Sequence, residues 1–274
     1  MRAALLQLNV SDDPAANLAV TLGLMRRAHE SGAGFILTPE CGNGLFPNRI
    51  RQREVIQPEA SDPTLAELRA EAARLGVWLL IGSLGLATED ADGRFANRSF
   101  LIGPDGAVVA RYDKIHMFDV NVSETETFRE SASYRPGEQA VVVETPFGTL
   151  GMTVCYDLRF PYLYRRLAQA GAQILTVPSA FNHITGPAHW EVLLRARAIE
   201  TGCFVLAPAQ TGEHPGTNRR RSHGHSLAIA PWGEVLADGG TEVGITYVEL
   251  DLAEVDRARA RIPTLTHDRA FDGP

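Results

Sequence analysis

The first 81 residues run twice through the same apolar pattern. Met1 to Asn9 reads as a buried strand, and Pro14 through Glu30 carries Leu18, Leu22 and Met25 at helical spacing before Gly32 stops it. Phe35 to Leu37 is a short strand leading into Pro39 and Glu40. Thr64 to Leu75 then reads as a helix closed by Gly76, and Val77 to Ile81 as a fully apolar strand of the kind covered on both faces. Strands alternating with helices predict layered α/β architecture. Between Asn97 and Arg111, "RSFLIG" and "AVVARY" flank "PDG" and predict a hairpin, so the sheet is mixed rather than purely parallel.

Residues 113 to 139 break this rhythm. They are polar and weakly periodic, a long loop of a kind that is uncommon unless functional. Beyond them, Val141 to Val143 and Thr149 to Val154 read as strands joined through "TPFG", and Pro161 to Ala170 as a helix with proline in its first turn and Gly171 past its end. "QILTVPS" is another buried strand, Pro187 to Thr201 a second strong helix stopped by Gly202, and further strands follow at Phe204 to Pro208, Ser226 to Ala230 and Gly244 to Leu250. No repeat, low-complexity linker or composition shift divides the chain. Residues 1–274 are therefore expected to form a single domain, with a C-terminal arm from about residue 263.

Composition narrows the partners. The net charge is −7, and basic residues are scattered apart from Arg219, Arg220 and Arg221, which is no footprint for nucleic acid or an anionic membrane. No apolar stretch nears the roughly 20 residues that cross a bilayer, and Asp12 and Asp13 come too early for a signal-peptide core. A cytoplasmic protein is expected. Three cysteines, Cys41, Cys155 and Cys203, make no disulfide framework, so each thiol is packing or chemistry.

Cys155, in "MTVCYDLRFP", ends a strand just before a helix. In open α/β sheets ligands gather outside the carboxyl ends of strands, where Glu40 and Ser179 also fall. A free cysteine in a strand is more often a small buried hydrophobe; here Tyr156, Asp157 and Arg159 crowd polar groups around it and favour a site. Cys41 and Cys203 read as packing. A thiol needs a base to become an attacking thiolate, and no histidine occupies a clear strand end. His214, His223 and His225 lack the cysteine or carboxylate that would complete a metal-ligand spacing, so no metal is expected. That leaves Glu40, after an apolar strand and "TP", as a base whose pKa burial would raise, and Lys114 as a cation over a developing oxyanion. Either residue taken singly reads as a solvated surface group.

Taken together, "LTPE" with Glu40, "YDKIHMFD" with Lys114 and "GMTVCYDLRFP" with Cys155 resemble, in order, the three motifs of the nitrilase superfamily of carbon–nitrogen hydrolases. The likeness extends over essentially residues 1 to 262. It implies an α-β-β-α sandwich, usually dimerised into a thicker stack, and no cofactor. It also implies Cys155 as nucleophile, Glu40 as proton carrier, and Lys114 with the Tyr156 N–H as oxyanion holders, with Glu130 in "FRES" holding the lysine. "PSAFNHITGPAHWEVLLRARAIET" looks most like the branch of deaminated glutathione amidase and omega-amidase, and Ser179 with "APAQTGEH" leans towards the former. The implied reaction is hydrolysis of a small carboxylate-bearing amide. An omega-amidase, a nitrilase or an N-carbamoyl amino-acid hydrolase would use the same triad, and a catalytically silent assembly scaffold is the rival outside enzymes. Phe181, Asn182 and Thr185, just past a strand end, join Ser179 as candidate substrate contacts. Tyr162 departs from the branch, which commonly has glutamate there, and no pocket contact is transferred from the irregular residues 211 to 223.

Overall fold

A computed structural model describes residues 1–124 and 126–273. The first half of the chain builds β1 (Arg2–Gln7), α1 (Pro14–Glu30), β2 (Phe35–Leu37), α2 (Arg49–Val55), α3 (Pro63–Leu75), β3 (Trp78–Leu86), β4 (Phe95–Ile102) and β5 (Val108–Asp113). A small hairpin of β6 (Asp119–Asn121) and β7 (Thr127–Arg129) follows, then β8 (Tyr134–Arg135). The second half runs β9 (Val141–Thr145), β10 (Gly148–Met152), α4 (Pro161–Gln169), β11 (Ile174–Thr176), α5 (Gly186–Thr201) and β12 (Phe204–Ala207). It finishes with β13 (Thr211–Glu213), β14 (Arg221–His223), β15 (Leu227–Ile229), β16 (Val235–Asp238), β17 (Gly244–Glu249) and α6 (Ala253–Arg261).

Two mixed sheets result. One has the order β17-β1-β2-β3-β4-β5 with β8 on β4, the other β16-β15-β12-β11-β10-β9. In the first sheet β1, β2 and β3 run parallel, and in the second β10, β11 and β12 do. Strand alternation explains the layers. Ala3, Leu5, Phe35, Leu37, Leu80 and Leu101 face the second sheet in one large core. Their neighbours Ala4, Leu6, Ile36, Leu79 and Phe100 point the other way, onto Met25 of α1 and Leu68 of α3. Leu163, Leu167, Trp190 and Leu194 of α4 and α5 close the far side of the second sheet. The stack is the expected α-β-β-α sandwich.

Helix ends follow local chemistry. Asp62 caps α3 by accepting the Leu65 N–H at 2.7 Å, and Gly76 ends it in the left-handed conformation at φ 65°. The α2 helix has no apolar stripe and no buried residue, so periodicity gives no sign of it; Asn48 caps it instead. Likewise α6 buries only Val255 and Ala258. After Ile262 the chain lies across the outer helices: Thr264 Oγ1 donates to the Glu200 carbonyl at 3.1 Å, and Gln169 Nε2 to Asp268 at 2.6 Å. No described helix is long and apolar enough to cross a membrane.

Candidate active site

Glu40 leaves β2 at the carboxyl edge of the parallel strands and is 3% exposed. Its turn leans on β3 at Gly82, beside a break in register between Ile81 and Leu84. A Cβ at Gly82 would lie 2.1 Å from the Thr38 carbonyl oxygen and 2.5 Å from that of Pro39, so only glycine lets the segments approach. The carboxylate is fully engaged. Oε1 accepts from Lys114 Nζ at 2.9 Å and Asn97 Nδ2 at 3.0 Å, and Oε2 from the Ala180 N–H at 2.8 Å. Burial pushes the Glu40 carboxyl up, but the Lys114 charge, its hydrogen bond, the Ala180 N–H and the Cys155 thiol outweigh it and hold Glu40 below the ordinary value. The expectation that burial raises this group is thereby corrected: the ammonium beside it reverses the sign.

Lys114 follows β5 and is 2% exposed between two carboxylates. Its Nζ also lies 2.9 and 2.8 Å from the two oxygens of Glu130. Glu130 is held in turn by the Phe118 N–H at 2.6 Å and Asn97 Nδ2 at 3.2 Å, so Asn97 bridges both acids. Burial alone would lower the Lys114 pKa; Glu130 and then Glu40 overcome it and keep the ammonium charged well above its usual range.

Cys155 opens a short 3₁₀ turn, Cys155–Arg159, with φ at 49°, a left-handed conformation uncommon outside glycine. Its N–H donates to the Pro178 carbonyl at 3.0 Å, and it lines the same cavity as Glu40. Burial and then the Glu40 charge push this thiol well up, so it rests protonated. The next N–H, of Tyr156, meets no acceptor among the described residues. Asp157, fully buried, ties this turn to the lysine loop. It accepts the Val154 N–H at 2.9 Å, the Tyr112 hydroxyl at 2.6 Å, the His116 N–H at 3.0 Å and His116 Nδ1 at 2.7 Å. Tyr162 completes the chain, its hydroxyl 2.6 Å from His116 Nε2, which is where the departure from the branch pattern is accommodated.

Glu40, Lys114, Glu130 and Cys155 face a cavity of about 190 Å³. Phe181, Asn182 and Thr185 line it, and Asn182 Oδ1 also accepts the Ile184 N–H at 2.8 Å. Ser179 does not reach the wall: it is fully buried, its hydroxyl turned back to the Val177 carbonyl at 3.0 Å. Cys41, expected as packing, does line the cavity, with its thiol pushed up by burial and then by Glu40. Cys203 is packing, its Sγ 3.2 Å from the Ala172 carbonyl. Aromatic rings floor the pocket, Phe118 lying 5.1 Å from both Tyr156 and Phe128. Among the described residues no group of three histidine, cysteine or acidic side chains is placed to hold a metal.

The carbon–nitrogen hydrolase family profile matches residues 2–260. The chain belongs to that family. This hydrolase is 41% identical over 267 residues to the deaminated glutathione amidase of Yersinia enterocolitica, covering 97% of this chain and 92% of the relative. It is 37% identical to the omega-amidase NIT2 of Mus musculus, covering 98% and 95% of the two chains. Among solved structures, the NitFhit protein of C. elegans superimposes with a TM-score of 0.91 at 36% identity, over 98% of the hydrolase and 65% of that longer chain.

Sequence reasoning missed Asn97 and Arg220. A polar residue inside a strand looks like any solvent-facing position, and an arginine triplet looks like a solvated turn; neither carries a signal of its own.

Proposed function

We propose that the hydrolase cleaves the amide of a small carboxylate-bearing substrate through a thioester on Cys155, with deaminated glutathione as that substrate. The observation that carries this reading is the convergence of three groups from separate segments: Glu40, hydrogen-bonded to the Lys114 ammonium, and Cys155 line one buried cavity. Cys155 Sγ attacks the amide carbon while its proton passes to Glu40, and the carbonyl oxygen gains its negative charge under Lys114 and the Tyr156 N–H. The tetrahedral intermediate collapses, the C–N bond breaks, and Glu40 returns the proton to the departing amine. Water, deprotonated by Glu40, then attacks the thioester; the acid leaves and the thiol regains its proton. With deaminated glutathione the products are 2-oxoglutarate and the dipeptide cysteinylglycine.

The named relatives support the substrate, and so do Arg159 and Arg220, two cavity guanidiniums that meet no carboxylate among the described residues. Incubation with a panel of amides followed by mass spectrometry of intact protein tests the reading. A 2-oxoglutaryl adduct is expected on Cys155, with none in Cys155→Ala; full activity in Cys155→Ala, or an adduct elsewhere, overturns it. A homodimer is also proposed, supported by Val192 and Ile199, which α5 leaves exposed on one face; light scattering on the purified protein checks it. Three cysteines without a disulfide support a cytoplasmic location, checked by cell fractionation.

A further inference from the structure

Arg219, Arg220 and Arg221 are consecutive, but the turn between β13 and β14 divides them. Asn218 and Arg219 both adopt left-handed backbone, at φ 54° and 64°, which costs energy in residues other than glycine. The outer two arginines share Glu213, at 3.8 Å from Arg219 and 2.7 Å from Arg221. Arg220 turns the other way, onto the cavity wall, with its guanidinium 5.8 Å from the centre of the Phe128 ring. It is half-buried, and it makes no side-chain hydrogen bond and no ion pair with any described residue. Its positive charge favours the ionised forms of Cys41 and Tyr134, opposing in part the upward push of burial on both.

Arg220 stands at one end of a row of rings. Arg159 lies 5.9 Å from the Tyr156 ring, Tyr156 5.1 Å from Phe118, Phe118 5.1 Å from Phe128, and Arg220 closes the row on Phe128. The two ends differ chemically. Arg159 is on the same short turn as Cys155, the acyl-bearing side. Arg220 lines the same cavity as Glu40, three rings away from the turn that carries Cys155, where a group beyond the scissile nitrogen would reach.

We propose that Arg220 binds a carboxylate carried by the departing amine, making it the residue that sets preference for a doubly anionic secondary amide over a primary amide of the same acid. A guanidinium offers paired donors to a carboxylate, and the Phe128 face beside it excludes water from one side of the pair. The inference rests on the substrate reading above and deepens it: the acyl group is shared by the deaminated glutathione and omega-amidase reactions, so discrimination between them falls to the amine side.

Three amides of 2-oxoglutarate test this, differing only in the amine released: ammonia, cysteinylglycine, and cysteinylglycinamide, whose terminal carboxylate is capped. Arg220→Ala is expected to lower kcat/KM for the cysteinylglycine amide about 10- to 100-fold, the range for one lost charge-assisted pair, mainly through KM. Turnover of the other two is expected to stay at wild-type level, which also shows that the variant folds. Arg219→Ala, whose partner is Glu213, is expected to leave all three unchanged. Equal loss on all three amides, or no loss on the cysteinylglycine amide, overturns the role of Arg220 while leaving the substrate reading standing. Failure of the wild-type protein to hydrolyse the cysteinylglycine amide overturns both.

Discussion

Replacing Asp157 by asparagine tests whether one buried carboxylate sets the distance between the thiol and the ammonium. The two oxygens of Asp157 receive four donors between 2.6 and 3.0 Å. Val154, on one side, is the residue before Cys155; His116, on the other, is two residues after Lys114. An asparagine presents one oxygen and one NH₂. The NH₂ must then face either the Val154 or the His116 backbone N–H, neither of which can turn into an acceptor, whereas the Tyr112 hydroxyl can rotate and the His116 ring can change tautomer. One charge-assisted bond is lost outright and the survivors lose their charge, which at about 1.5–3 kcal/mol for a bond to a charged group amounts to about 3 kcal/mol of stability. In a chain of this size that is a fall of about 6–12 °C in Tm. If the N–H recoils, Val154 carries Cys155 with it, and a displacement near 1 Å at a reacting atom costs about 100-fold in kcat. Urea unfolding and steady-state kinetics on one preparation measure both effects. Asp157→Asn with stability within about 1 kcal/mol and kcat within about twofold of wild type refutes the reasoning. Lost stability with intact kcat refutes the positional half alone.

Two other perturbations address the same machinery and its surroundings. Glu130→Gln keeps the shape but removes the larger of the two charges that hold Lys114 as an ammonium, and a drop of about 100-fold in kcat with little change in KM is expected; an unchanged kcat shows that Glu40 alone suffices. His214 is buried against the Val10 carbonyl and Ser222, and burial lowers its pKa from 6.5 to about 4. The unfolded chain binds that proton more readily, so this contribution to stability is present above the unfolded pKa and is lost as pH falls from 6.5 towards about 4. By about pH 5 the loss reaches about 2 kcal/mol, and urea midpoints of wild type and His214→Gln at neutral and acid pH are expected to converge on acidification.

The layered fold was legible because most strands and helices bury a face, and a buried face leaves a period in the sequence. Phe35 to Leu37 and the apolar core of β3 were plain for that reason, whereas α2 buries nothing and left no trace. The hairpin of β6 and β7 lay hidden in a polar stretch because its strands are largely exposed. Glu40 and Cys155 were legible as residues past strand ends, and Lys114 from its hairpin and motif. The ionisation of Glu40 was not, because its sign depends on an ammonium 74 residues away along the chain. Ser179 shows the opposite failure: it follows a strand end as expected, yet its hydroxyl turns into the interior, a rotamer choice no spacing reveals.

The protonated resting state of Cys155 has a bearing on durability. Peroxides and alkylating agents react with thiolates, and their selectivity among cysteines follows thiolate character and access. A sulfur held as a thiol offers such reagents a smaller target than a thiolate would. The carboxylate proposed as proton carrier thus also keeps the sulfur protonated, and hydrogen peroxide is expected to inactivate the resting enzyme slowly.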